Sequence, residues 1–234
     1  INLVAQVKVA CAGDLDRVKR VVKLGAFVAS ADDFNRKQFD EAMDIIQLAL
    51  NEELFSYHGE VYDFPPPGIP DRGGTVQELT LIPRPLYPYE TWQAITSPPT
   101  LEVVPKRGWG GVFWNSHPTF IKSQWDRFAE LYEESQNQSL ESGEKRMLVR
   151  CVCVADTYEE AVESVRPGHD EFWKFLGPYG WSKGYMGPDG KPSKAGLIPT
   201  LEDSLEQKIW IVGSADDVGE QIEFQFSINR DICV

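Results

Sequence analysis

What this chain has little of narrows it first. No apolar run approaches the roughly 20 residues that cross a bilayer, and the N-terminus has no charged region leading into a signal-like apolar core. A cytoplasmic location is the expectation. Basic residues are also short: 23 Lys and Arg stand against 36 Asp and Glu, for a net charge of −13, and no basic block interrupts the spread. That balance opposes binding to nucleic-acid phosphates and to anionic membrane surfaces, so small molecules are the favoured partners. Four cysteines occur, at positions 11, 151, 153 and 233, with three histidines at 58, 117 and 169. Cys151 and Cys153 share one face of a strand. The pair admits a metal or redox use, but free thiols in an apolar strand are commonly core, and no metal site is expected. No Gly-x-Gly-x-x-Gly turn follows a strand, which removes a dinucleotide fingerprint.

What is present is an alternation of strand and helix. At 234 residues the chain can bury a sizeable core. Residues 4–18 carry helical spacing, and 21–28 read as a strand rich in β-branched residues. Ser30, three residues before Asp33, opens a helix with Phe39, Ala42, Met43, Ile46 and Leu50 along one face. Between 56 and 89, prolines at 65–67, 83, 85 and 88 and the pair Gly73-Gly74 exclude a long helix. This reads as an inserted excursion with a short hairpin between Val76 and Ile82. Strands are then expected at 90–96, 111–115, 147–155 and 209–212, and helices at 100–107, 119–138 and 157–175, with another from Ala215. Apolar strands alternating with amphipathic helices imply a parallel sheet covered by helices, open or closed into a barrel.

The segment 92–100, Trp-Gln-Ala-Ile-Thr-Ser-Pro-Pro-Thr, runs from a buried strand into hydroxyls at a helix start. A helix start offers unpaired N–H groups and partial positive charge, so Thr96, Ser97 and Thr100 can hold a phosphate there without Lys or Arg. The same residues also read as an ordinary Ser N-cap that needs no ligand. Both readings stand on the residues alone.

The order of motifs resembles the bacterial luciferase-like, flavin-dependent monooxygenases. The resemblance is carried by Leu15-Asp16-Arg17, the segment 39–46, Tyr57-His58-Gly59-Glu60-Val61-Tyr62, Pro83-Arg84-Pro85-Leu86, Ala94 through Thr100, Arg107-Gly108, the segment 155–161 and Val212-Gly213-Ser214-Ala215-Asp216-Asp217-Val218. It implies an α/β fold, a TIM (β/α)₈ barrel, with 1–234 as one partial domain. The first matching element corresponds to the family's third helix, so the opening strands are expected to be absent and the barrel incomplete. The family's Ser-Gly-Gly-Arg-like turn is also missing, since Val18-Lys19-Arg20-Val21 stands there without a glycine.

The resemblance further implies an FMN-dependent monooxygenase that uses reduced FMN and O₂ to oxygenate a small or medium apolar organic molecule. A separate flavin reductase would supply the reduced cofactor, and the enzyme would be a homodimer. The segment Ala94 to Thr100 would close over the FMN phosphate, and Trp114 would lie near the flavin ring or else be a core aromatic. Gly213 and Ser214 would form a second phosphate contact. His117, after Trp114-Asn115-Ser116 at a strand's carboxyl end, is the best placed catalytic candidate, while His58 reads as structural and His169 is undecided. Residues 167–194, rich in aromatics and glycines, are a candidate lid or a plug for the core. Two alternatives remain: a non-catalytic flavin-binding protein with an incomplete barrel, and an F420-dependent oxidoreductase of the same superfamily.

Overall fold

The computed structural model describes residues 36–187, 189–193 and 196–228. The helix expected at 4–18, the strand at 21–28, the Ser30 cap, Cys11 and Cys233 lie outside the described residues. The chain divides into two compact units, 1–87 and 88–234.

In the first unit, α1 (Arg36–Asn51) carries its apolar stripe half-buried with Ile46 exposed, and its one buried residue is Glu41. The reason is local. The Glu41 carboxylate accepts the peptide N–H groups of Glu60, Val61 and Tyr62 at 3.1, 3.0 and 3.0 Å, fixing the loop between β1 (Tyr57–His58) and β2 (Asp63–Phe64). Burial pushes the Glu41 pKa upward, but these bonds outweigh it and hold the carboxyl below its usual range. His58 bonds Asp63 across the hairpin at 2.5 Å, a structural role. A second hairpin pairs β3 (Pro70–Asp71) with β4 (Gly74–Thr75). The hairpin expected at 76–82 does not form; Leu79 instead makes a single bridge to Phe55. The turn falls earlier because Arg72 and Gly73 take positive φ, 38° and 94°, the conformation a tight two-residue connection needs.

The second unit is built on parallel strands. β5 (Trp92–Ala94) pairs with β6 (Gly110–Trp114), which pairs with β7 (Arg146–Val149). β8 (Cys151–Val154) continues β7 after a break at Arg150 and pairs with β9 (Trp210–Gly213). Gly110 and Gly111 are small for a reason: a Cβ on Gly110 would strike the Trp92 indole, and one on Gly111 would strike the Phe113 and Phe128 rings.

Helices cover both faces of this sheet. On one face Phe113 meets Trp125 and Phe128 of α3 (Pro118–Gln136) edge-on, each at 5.9 Å. On the other, Ala161 and Trp173 of α4 (Tyr158–Leu176) pack with Tyr185, Trp210 and Val212, while Cys151 and Cys153 sit half-buried against the same cluster. Each large apolar side chain buried fully in these layers stabilises the fold by about 2 to 3 kcal/mol. Thr157 N-caps α4, accepting from the Glu160 N–H. A short helix the sequence reading missed, α5 (Leu201–Glu206), starts at a Thr200/Asp203 capping box, and α6 (Ala215–Ile228) follows β9.

The described strands form no closed sheet. Strand number, tilt and shear must match for closure, and a few parallel strands cannot close. An open sheet exposes a second apolar face, and α4 with the segment after it covers that face here. Among the described residues, no helix is long and apolar enough to cross a membrane.

Candidate active site at the carboxyl edge of the sheet

Parallel pairing brings the carboxyl ends of β5, β6, β8 and β9 to one edge, and the sequence-expected site residues follow these ends. Ala94 and Thr96 are exposed there. Ser97 is the N-cap of α2 (Pro98–Val103), its Oγ accepting from the Thr100 N–H at 3.4 Å and lying 2.9 Å from Thr100 Oγ1. The local sequence limits what this helix start can donate. Pro98 and Pro99 have no N–H, and the Thr100 and Leu101 N–H groups both bond the Ser97 carbonyl at 3.1 Å. Residues 98–101 therefore add no free amide, and the half-exposed hydroxyls of Ser97 and Thr100, with Thr96 beside them, are the side-chain donors at this helix start.

Ser214, after β9, is arranged differently. Its Oγ donates to Asp217 Oδ2 at 2.7 Å, its N–H donates to the same oxygen at 2.9 Å, and the Asp217 N–H returns a bond to Oγ at 3.3 Å. The hydroxyl and amide of Ser214 hold the Asp217 carboxyl below its usual pKa. Gly213 precedes them at φ 153°, where a Cβ would meet the Asp217 Cβ at 2.5 Å. A charged carboxylate that already takes both Ser214 donors opposes a phosphate there, so the Gly213-Ser214 pair does not fit a second anion contact.

Trp114, at the end of β6, is half-buried and edge-on to Phe172 at 5.8 Å and Trp181 at 5.1 Å. These rings make an apolar wall at the edge. His117 N-caps α3: its Nδ1 accepts from the Thr119 N–H at 3.3 Å, and its own N–H donates to Gly184 O at 2.8 Å. A ring accepting at Nδ1 carries its proton on Nε2 when neutral. Burial, and then the Arg150 guanidinium, lower the His117 pKa, so a neutral Nε2–H is the group it presents near pH 7.

Of the candidate lid, residues 167–176 belong to α4, Trp173 and Tyr185 are fully buried, and Phe175, Tyr179 and Trp181 are exposed. His169 is also buried. Its Nε2 lies 2.7 Å from Ser204 Oγ and its Nδ1 lies 3.1 Å from Asp170. The trio imitates a hydrolytic triad, but Ser204 is sealed from solvent and bonded to Tyr185 Oη at 2.6 Å and to the Thr200 carbonyl at 3.2 Å. It ties α5 to α4. Among the described residues, no group of His, Cys, Asp and Glu could hold a metal ion.

Sequence reasoning passed over two residues. Asn115, directly after β6, is buried at φ 45° with its side-chain amide beside the Cys151 thiol. Arg150 interrupts β7 and β8, and its signal was a lone cation in an otherwise apolar run.

A family model described as luciferase-like monooxygenase matches residues 19–226. The chain belongs to the luciferase-like monooxygenase family. A comparison with curated proteins finds no match. Among solved structures, the chain is similar to the oxygenating constituent of 3,6-diketocamphane monooxygenase, a type II Baeyer-Villiger monooxygenase from the CAM plasmid of Pseudomonas putida, in complex with FMN. That match has a TM-score of 0.58 and 19% identity, over 82% of this chain and 53% of that one. It is similar also to the monooxygenase RslO1 from Streptomyces bottropensis, with a TM-score of 0.58 and 15% identity, over 85% of this chain and 52% of that one. At these identities the likeness shows the fold, and this luciferase-like chain spans about half the length of either structure.

Proposed function

We propose that this chain contributes the phosphate end of a flavin site in an FMN-dependent monooxygenase that oxygenates a small or medium apolar organic substrate with O₂. The observation that carries the reading is the Ser97–Thr100 hydroxyl pair at the carboxyl edge, half-exposed and free of any acidic partner, three strands from the Ser214 cap that Asp217 closes. Membership of the luciferase-like monooxygenase family supports an oxidoreductase.

In this reading Ser97 and Thr100 donate their hydroxyl protons to phosphate oxygens, with Thr96 at the rim. Trp114 and Trp181 supply an apolar wall that keeps water from the reacting atoms. His117 offers Nε2–H as a donor near the oxygen being transferred. Bound reduced flavin would supply the electrons that activate O₂, and the protein supplies orientation and a dry pocket. The similar Pseudomonas protein is described as an oxygenating constituent, which supports a division of labour with a separate flavin reductase. A homodimer and a cytoplasmic location remain part of the same proposal.

F420 is the competing cofactor, because hydroxyls that meet only a phosphate do not distinguish the two. The test is direct. Protein mixed with reduced FMN and O₂ should convert an apolar cyclic ketone to a product one oxygen heavier, read by mass spectrometry with ¹⁸O₂. Reduction of F420 by a secondary alcohol, with no ¹⁸O from ¹⁸O₂ incorporated when reduced FMN is supplied, would transfer the function to the F420 class. Flavin binding without turnover of either kind would leave a non-catalytic flavin carrier.

A further inference from the structure

Among the described residues β9 pairs with β8 on one side and with no strand on the other. Gly213 O accepts the Ala155 N–H at 3.1 Å, so the peptide groups of Ile211 and Gly213 turn toward β8 and those of Val212 turn outward. An outward N–H and C=O on an edge strand are the template on which another chain adds a strand. Here a side chain holds them. Gln221 of α6 accepts the Val212 N–H on Oε1 at 3.3 Å and donates from Nε2 to Val212 O at 2.9 Å. One turn further along α6, Gln225 Nε2 donates to Lys208 O at 2.7 Å, on the approach to the same strand. A side-chain amide offers a donor beside an acceptor, the pattern that a neighbouring strand presents, so Gln221 takes the place of one.

The edge beneath this cover is suited to pairing. Trp210, Ile211 and Val212 are strong strand formers, and neither a charge nor a proline occurs from Ile209 to Ala215, so two of the usual devices that blunt an edge are lacking. The cover itself is one helix with Gly219 in its middle, which weakens it relative to alanine. We infer that the outer edge of β9 is a strand-pairing surface held shut by Gln221, and that the partner it fits is β9 of a second copy of this chain. Two-fold antiparallel pairing sets the uncharged run against itself, with no like charges opposed. The surface lies three strands from the Ser97–Thr100 pair and does not depend on the flavin reading.

Sedimentation velocity and amide hydrogen exchange of Gln221→Leu test it. Leucine keeps most of the volume and removes both hydrogen-bonding groups. The variant should reach twice the wild-type mass as its concentration rises, with the Val212 amide protected in the larger species. Diluted to the wild-type mass, it should exchange that amide at least roughly tenfold faster than wild type. Wild-type mass at every concentration, or a larger species whose Val212 amide still exchanges fast, would overturn the proposal. If Gln221→Leu loses its near-ultraviolet circular dichroism, Gln221→Glu decides. A protonated carboxyl keeps a donor and an acceptor, whereas the ionised form has acceptors alone and faces the Val212 and Asp217 carbonyls. That variant should match the wild-type mass at about pH 4 and double it at about pH 9. Any other course, unfolding at the higher pH included, overturns the inference. Neither readout involves flavin, so failure of the flavin reading leaves this result intact.

Discussion

Two helix starts at the same sheet edge carry the same signature, a strand followed by Ser, yet they differ in chemistry. At the end of β5, Ser97 faces Thr100, and prolines at 98 and 99 remove the amides a helix would otherwise present. At the end of β9, Ser214 faces Asp217, and both of its donors are spent on that carboxylate. The residue three positions after the serine decides the outcome. A hydroxyl there leaves a mutually bonded hydroxyl pair with no acid beside it, whereas a carboxylate closes the cap and turns the local charge against a phosphate.

The comparison is broken most severely by changing the backbone beneath the closed cap. Gly213→Ala places a Cβ against Asp217 at a φ that side chains rarely adopt, and chemical denaturation should show a loss of about 3 kcal/mol. Next in size, replacing Ser97 and Thr100 together by Ala should weaken FMN binding by about 2 kcal/mol, since each removes a bond to a charged group. Folding stability should fall by only about 1 kcal/mol, the usual worth of a cap. Ser214→Ala should give the reverse pattern, a similar loss of stability with no change in flavin affinity.

Smaller effects come from pH. The folded-state pKa of Asp217 is depressed, so its contribution is present above the unfolded carboxylate range and is lost as pH falls through the folded value. Wild type should therefore lose stability on acidification more steeply than Asp217→Asn, read as melting temperature between about pH 5 and pH 2. The His117 and His169 pKa values are lowered chiefly by burial. NMR titration should place both below the free histidine value, and their protonation should destabilise the fold as pH falls below about 6.5.

Much of the second unit was legible because its signals are local. The β-branched and aromatic runs at β6 and β9, the Thr157 cap and the spacing of Phe120, Trp125, Phe128, Leu131 and Tyr132 each specify an element without reference to distant residues, although Ile121 takes the buried place expected of Phe120. The parallel pairing followed from the alternation. What escaped notice depended on distant partners. α5 is six residues long, too short for a hydrophobic period to stand out, and its hold on α4 runs through Ser204 and His169, 35 positions apart. The barrel was inferred from family order, whereas closure is a property of the whole strand set, and the described strands stay open with both faces covered.

The site was legible in part for the same reason. Ser97 and Thr100 lie three apart, so their contact could be read from spacing, and so could the loss of amides at Pro98 and Pro99. Asp217 lies equally close to Ser214, and its charge was the sign that this cap was closed. Arg150 was overlooked because hydropathy averages a single cation away, although a charge within an apolar strand must find either a partner or a ligand.

Fluorescence titration of FMN against three proteins tests the central claim most directly: wild type, the Ser97→Ala/Thr100→Ala double variant, and Ser214→Ala. The account predicts quenching with equal affinity for wild type and the Ser214 variant, and binding weakened by roughly tenfold or more in the double variant. Equal affinity in all three, or a loss confined to Ser214→Ala, would contradict it.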